Sequence, residues 1–511
     1  MTDDLEPISC PELVFGLIGP SGTDLPSVCS VIHRQLERFH YKIELIKLSK
    51  LIEQFAGLDG NEPEHERIWK LMDAGGAVRE QSRRGDAVAL LAISEIHRIR
   101  AENPERKGIR TAYILDSLKH PDEVHLLRTV YGAGFFVVAA YSPRQDRIEA
   151  LAERLARSMA SESSASRSQA ERIVYRDEKE ERTKLGQNVA GTFPLADVFV
   201  DCQSRSQLTK HIERFVDLIF SHPFRTPTRD EYAMFHAMAA SLRSSDLNRQ
   251  VGAVIATPDG DVIAGGCNDV PKPGGGLYWE EDEPDVRDFQ IGRDAMYEYR
   301  EQILYSIIDR LSEAKLLDAS AASDKKGLTK SLLEGEQKAV LEGSRLLGLL
   351  EFGRPVHAEM AALMDAARRG VSVRGNILYC TTFPCHLCAR HIVAAGVARV
   401  VYIQPYPKSR ASHMYRDSIV VDEKRKSEGR VVFEPFVGIA PRQFVQMFES
   451  LGEARKDSSG NATQFDPSTA GVRFFRQGGH AIMETRIIAT LLKTAWEEIL
   501  RARSAKPRGD Q

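Results

Sequence analysis

One histidine, one glutamate and two cysteines carry the chemistry this sequence suggests most directly. His357 and Glu359 stand two residues apart, and Pro384-Cys385-His386-Leu387-Cys388 follows after the span of one helix and one strand. An imidazole and two thiolates are three ligands for Zn2+, and a catalytic zinc, unlike a structural one, keeps its fourth tetrahedral position for water. Glu359 is the carboxylate inside the motif that is not needed as a ligand, which leaves it free to act as a base. On an ideal helix His357 and Glu359 would diverge by about 200°, so they share one site only near a helix end. The metal is therefore expected over the N-terminus of a helix starting near Val356. Pro384 suits the first turn of a second helix, and the partial positive charge there favours the thiolate forms of Cys385 and Cys388. His386, His391 and His413 are expected in surface or supporting roles.

A lone C-x-x-C also marks redox pairs and structural zinc. The order H-x-E, then P-C-x-x-C, is a known signature of zinc enzymes that deaminate nucleobases. In that chemistry Glu359 takes a proton from the attacking water, delivers it to N3 of cytosine as hydroxide attacks C4, and helps ammonia leave. The product is uracil.

The elements that must position these residues occupy the second half of the chain. A helix over 229–241 precedes a hairpin of 251–256 and 262–266 around Pro258-Asp259-Gly260-Asp261. A mostly charged, helical insertion over 272–354 follows, without cysteine or histidine. Helix 356–369, strand 376–382, helix 385–395 and strand 399–403 come next, with Val431-Val432-Phe433 as a later strand. A hairpin followed by α-β-α-β, with metal ligands at two helix starts, describes the three-layer α/β/α sandwich of the cytidine-deaminase-like fold. The tail beyond Asp457 is polar, then helical over 479–503.

The first half reads as a doubly wound parallel sheet, with apolar strands alternating with helices. Leu13-Val14-Phe15-Gly16-Leu17-Ile18 runs into Gly19-Pro20-Ser21-Gly22-Thr23-Asp24 and then a helix over 26–41, the layout of a P-loop. Gly19, Gly22, Thr23 and Asp24 are its candidate nucleotide contacts. A P-loop opening at Gly19 needs Gly-Lys-Ser/Thr where Asp24, Leu25 and Pro26 stand, so the phosphate lysine and the magnesium hydroxyl are missing. Hydrolysis, binding without turnover and a structural turn all stay open. Thr111 to Asp116 has the layout of a Walker B strand, or of a buried strand whose Asp116 caps a helix. Phe135 to Tyr141 is a further strand, with Arg144 and Arg147 behind it as phosphate-facing groups or a solvated helix start. The helical stretch 150–181, Ser/Ala-rich over 159–170, is a lid or a surface excursion. After strand 197–201 and helix 207–220, the proline-punctuated His222 to Thr228 divides the chain into domains 1–222 and 223–511.

Composition agrees with two soluble domains. The chain has 511 residues, 42% hydrophobic and 28% charged, with a formal charge of -3, so the basic surplus of a nucleic-acid binder is absent. The first eleven residues carry acids and no apolar signal core, and no apolar run is long enough to span a membrane. A cytoplasmic location is expected, and the seven scattered cysteines, Cys385 and Cys388 apart, read as reduced thiols.

The stretch from about Thr226 resembles the deoxycytidylate deaminase family. Arg243-Ser244-Ser245-Asp246-Leu247-Asn248-Arg249-Gln250-Val251-Gly252-Ala253 is similar to that family's passage from helix to strand. Gly266-Cys267-Asn268-Asp269-Val270-Pro271 is similar to its G-Y-N-x-x-P loop, with Cys267 where the family has an aromatic. The resemblance implies substrate contacts at Arg243, Ser244 and Asn268, the last to a sugar hydroxyl; Asn268 also suits a plain turn. More narrowly, Phe15 to Leu25, Ile114 to Pro121 and Gln404 to Ser409 resemble the bacterial anti-phage dCTP deaminases, which join a P-loop-kinase-like domain to a deaminase. That resemblance implies deamination of dCTP and dCMP, depletion of a replicating phage's DNA precursors, and a homo-oligomer. It also implies activity held off until infection, with a second nucleotide or an inhibitory RNA or protein acting at the N-terminal domain. Two other readings stay open: a polynucleotide cytosine or adenosine deaminase, and a nucleotide sensor with a structural zinc.

Overall fold

The computed structural model describes residues 12–58, 62–103, 109–159, 163–179, 185–406, 409–421, 429–450, 455–473 and 480–491. The chain forms two compact units, Met1–Glu231 with Val437–Gln511, and Tyr232–Phe436.

In the first unit, β1 (Leu13–Ile18), β2 (Lys42–Lys47), β3 (Thr111–Asp116), β4 (Phe135–Tyr141) and β5 (Val198–Asp201) pair in parallel in the order β5-β4-β1-β3-β2. Every residue of β1 is buried, so both faces of the central sheet are covered and no in-out alternation survives in its sequence. Leu13, Phe15 and Leu17 share a core with the apolar faces of helices Leu25–Glu37 and Arg205–Ile219. Helices Arg144–Met159 and Ser163–Lys179 form a smaller core with Met72 through Ile148, Leu151, Leu155, Ile173 and Val174. The stretch expected as a lid or loose excursion is thus a packed pair of helices.

The second unit is built on β6 (Gly252–Ala256), β7 (Val262–Cys267), β8 (Ile377–Thr382), β9 (Arg399–Gln404), β10 (Ile419–Val421) and β11 (Val431–Pro435), ordered β10-β11-β9-β8-β6-β7. β6 runs antiparallel to β7 and β8, whereas β8, β9, β11 and β10 are parallel. Ala358, Ala362 and Ala366 of helix Ala358–Arg369 and Ala389 and Ile392 of helix His386–Ala394 join the core with Ile255, Leu378 and Val400. Small side chains let the first of these helices lie close to the sheet: a Cβ on Gly266 would stand 2.5 Å from the Ala361 Cβ. The insertion is helical as expected, with helices Ala295–Glu313 and Lys325–Leu333 closing a core of their own around Leu304, Ile308 and Leu333.

The division of the chain differs from the expected one at residue 222. After Phe436 the chain returns to the first unit, where β12 (Gly438–Ile439) pairs antiparallel with β5. Glu231, fully enclosed, accepts from the Ile439 N–H at 2.7 Å and from Arg214 at 2.6 and 2.7 Å, and Arg473 N–H donates to the Ile219 carbonyl at 2.9 Å. Backbone pairing and buried charge override sequence adjacency. Of the helix expected over 479–503, His480–Leu491 is described and 492–503 lies outside the described residues.

Candidate active site

His357 is the N-cap of helix Ala358–Arg369, with extended backbone (φ -67°, ψ 152°), and Glu359 stands in the first turn. Both side chains are therefore at a helix end, where the 200° divergence of an ideal helix does not apply. The preceding residue is tied down from the other side of the unit: Val356 N–H donates to Asp269 O at 2.9 Å, and Asp269 N–H to Val356 O at 3.3 Å. Asp269 is itself held by Ser245, whose N–H and hydroxyl donate to it at 3.1 Å. The loop after β7 thereby sets where the His357 helix begins.

Cys385 is the N-cap of helix His386–Ala394, and its sulfur accepts from the Cys388 N–H at 3.4 Å. Pro384 consequently lies one residue before the cap, not in the first helical turn. Cys385 must remain extended to turn its sulfur back to Cys388, and the Pro384 carbonyl is taken by the Ser409 hydroxyl at 2.8 Å.

His357 Nδ1 lies 3.3 Å from Cys385 Sγ and 3.4 Å from Cys388 Sγ, and the three donor atoms lie within 4.8 Å of one another. Zn–N and Zn–S bonds of about 2.0 and 2.3 Å at tetrahedral angles put N and S roughly 3.5 Å apart, so these residues fit one zinc ion. Among the described residues this is the group of histidine, cysteine or acidic side chains able to hold a metal. Hydrogen bonds from Cys388 and His357 hold the Cys385 thiol well below its usual range. Glu359 is buried; that burial, reinforced by the neighbouring Cys385 charge, pushes its carboxyl up to about 6. A carboxyl poised there can both take and return a proton near neutral pH.

His357, Glu359 and Cys385 line a cavity of about 310 Å³, at the lower end of the range for small-ligand sites. Its walls include Asp246, Arg249, Asn268, Thr382, Phe383 and Tyr406, and from the insertion Asp288, Asp294, Arg300 and Leu347 to Leu350. Asn268 is at the wall, with its amide braced inside the fold: Oδ1 accepts from Val251 N–H at 2.7 Å and Nδ2 donates to Arg249 O at 2.8 Å. One lone pair and one N–H of that amide remain for a ligand. Arg243 and Ser244 do not line the cavity. Arg243 lies over the Trp279 ring at 3.3 Å, and the Ser244 hydroxyl donates to the Asn268 carbonyl at 2.6 Å, so both act here as supports of the loop. The insertion's contribution carries no spacing or motif; Arg300 is one charge on a charged helix until the chain is folded. Of Gln404 to Ser409, Pro407 and Lys408 lie outside the described residues.

Gly19, Gly22, Thr23, Asp24 and Asp116 belong to the first unit and gather at the ends of β1 and β3. Asp24 caps helix Leu25–Glu37 by accepting from Ser27 N–H at 3.1 Å, and a Cβ on Gly22 (φ +91°) would meet the Arg147 carbonyl at 2.3 Å. The loop already holds an anion of its own. Ser21 N–H donates to the Asp177 carboxylate at 2.6 Å, and Lys119 bridges Asp177 at 3.4 Å and Gly19 O at 2.9 Å. Arg147 reaches inward to the Ser21 and Ser142 carbonyls. Asp116 is half-buried, and burial raises its carboxyl. It does not cap the following helix, where His120 does so in a reciprocal box with Glu123.

With this geometry in place, the chain can be set beside known proteins. Residues 227–404 match the family described as "Cytidine and deoxycytidylate deaminase zinc-binding region". The deoxycytidylate deaminase of Enterobacteria phage T2 is 40% identical over 55 residues, 11% of this chain and 29% of that protein. The probable deoxycytidylate deaminase of Drosophila melanogaster is 38% identical over 74 residues, 14% and 36% respectively. The chain thus spans about a third of the length of these curated relatives. Among solved structures, the dCMP deaminase of the cyanophage S-TIM5 aligns at 18% identity and a TM-score of 0.21, over 41% of this chain and 98% of that one. The segment that matches this zinc-binding family contains the three residues that fit the ion. Among the described residues no helix is long and apolar enough to cross a membrane.

Proposed function

We propose that this protein is a zinc-dependent deaminase of free deoxycytidine nucleotides, converting dCTP and dCMP to dUTP and dUMP with release of ammonia. The observation that carries the reading is Glu359, buried beside a His-Cys-Cys donor set and lining a small-ligand cavity. A structural zinc site has no use for such a carboxyl. Zinc, when bound by His357, Cys385 and Cys388, supplies the Lewis acidity that makes water nucleophilic near neutral pH. Glu359 takes the proton from the attacking water and passes it to N3 while oxygen bonds to C4. It then relays a second proton to the amine, the C4–N bond breaks, and uracil and ammonia result. Asn268, at the cavity wall, is assigned the contact to the sugar hydroxyl.

The resemblance of the flanking motifs to the bacterial anti-phage dCTP deaminases supports a role in depleting deoxycytidine nucleotides during infection, with the first unit as the regulatory part. Its glycine loop lacks the phosphate lysine and the magnesium hydroxyl of a P-loop, which favours sensing over hydrolysis. The deciding experiment offers the zinc-loaded protein dCTP, dCMP, CTP, single-stranded DNA and RNA separately and identifies the product. Uracil in free deoxynucleotides is expected; uracil or inosine formed only in the polymers would overturn the reading.

A further inference from the structure

The insertion 272–354 contributes a basic group to the cavity that the reaction at C4 does not use. Arg300, on helix Ala295–Glu313, lines the same cavity as His357 and Glu359. Its Nη2 donates to the Leu349 carbonyl at 3.1 Å, which fixes the guanidinium, but its Nε–H is buried without an acceptor. A buried orphan donor on a cation is costly unless something meets it, and a planar guanidinium suits the oxygens of a phosphate.

The acids in the wall do not fill that need. Asp288 is paired with Arg354 at 2.6 Å, Asp294 accepts from the Met296 N–H of its own helix at 2.9 Å, and Asp246 from the Asn248 N–H at 2.8 Å. Arg249, across the cavity, is exposed and lies 5.2 Å from the Tyr406 ring. Burial raises the Tyr406 phenol, and the charges of Arg249 and Arg300 both counter that rise, so the two guanidiniums bear on one wall residue. Arg249 and Arg300 are thus two cations on the cavity wall, and Arg300 has a donor that none of the wall's acids takes up.

We propose that Arg300 holds the 5′-phosphate of the nucleotide whose base reaches Glu359, so that the insertion is part of the substrate site and selects nucleotides over nucleosides. The assignment rests on reading the site as a nucleotide deaminase. Its test is turnover of deoxycytidine, dCMP and dCTP by the full-length zinc-loaded protein and by R300A and R300K. In R300A the ratio of kcat/KM for dCMP to that for deoxycytidine should fall tenfold or more, chiefly through KM, and R300K should restore part of it. A folded R300A whose ratio stays within twofold of wild type overturns the assignment and leaves the site reading intact. Where R300A does not fold, the same ratio is read in R300Q, which keeps an amide donor near Leu349. A wild-type protein that turns over none of the three overturns both readings.

Discussion

Glu359 owes its proposed role to enclosure. A carboxyl on an open helix surface would be ionised and weakly basic at neutral pH; burial beside Cys385 raises this one to about 6. E359A is expected to retain zinc, because the proposed ligands are His357, Cys385 and Cys388, and to lose 10²-fold or more in turnover. Zinc content by metal analysis and product formation by chromatography check this together, and an active E359A removes the assigned base. The three donors and the carboxyl beside them were singled out by a known signature and its spacing, and the fold brings the donors together at two helix ends. Arg243 and Ser244 lie outside the cavity lining, because resemblance in sequence carries no direction for a side chain. One lies on Trp279 and the other is spent on the Asn268 carbonyl.

Elements place those residues through close packing. β7 approaches helix Ala358–Arg369 so nearly that a Cβ on Gly266 would stand 2.6 Å from the Ala362 backbone nitrogen, a contact no rotamer relieves. G266A should therefore cost roughly 1–3 kcal/mol and shift the helix that carries His357 and Glu359. The expected readout is a lower unfolding midpoint with weaker zinc retention; a variant unchanged in both would show the contact to be soft. Most strands of both sheets were readable as apolar runs. β2 was not, because Lys42-Ile43-Glu44-Leu45-Ile46-Lys47 is an edge strand with charges facing solvent, and its membership depends on pairing with β3. The glycine loop is the reverse case. Its layout resembles a phosphate site, but the anion it meets is Asp177, some 150 residues further on, and no local pattern announces that partner.

For the whole molecule, the return of the chain after Phe436 ties its two ends into one unit. Glu12, just before β1, accepts from Arg100 at 2.6 Å and lies 3.0 Å from His480. Burial alone would raise its carboxyl, but the hydrogen bonds of His480 and Arg100 outweigh it and lower the value from 4.5 to about 2. A depressed carboxyl stabilises the fold above its unfolded value and loses that contribution as pH falls from about 4.5 to about 2, a span worth ~3 kcal/mol. E12Q should thus be less stable than wild type at pH 7, and urea unfolding should show the gap closing toward pH 2; a gap independent of pH would exclude this linkage. The primary structure was sufficient to single out the three donors and the neighbouring carboxyl, the strand and helix order around them and the presence of two α/β bodies. These follow from local spacing, hydrophobic runs and the coordination chemistry of zinc. Tertiary structure alone decided that Val437–Gln511 belongs with the first body, that Asp177 fills the glycine loop and that Arg300 enters the cavity. Each depends on a contact between residues far apart in sequence, made by burial and backbone pairing that no local pattern encodes.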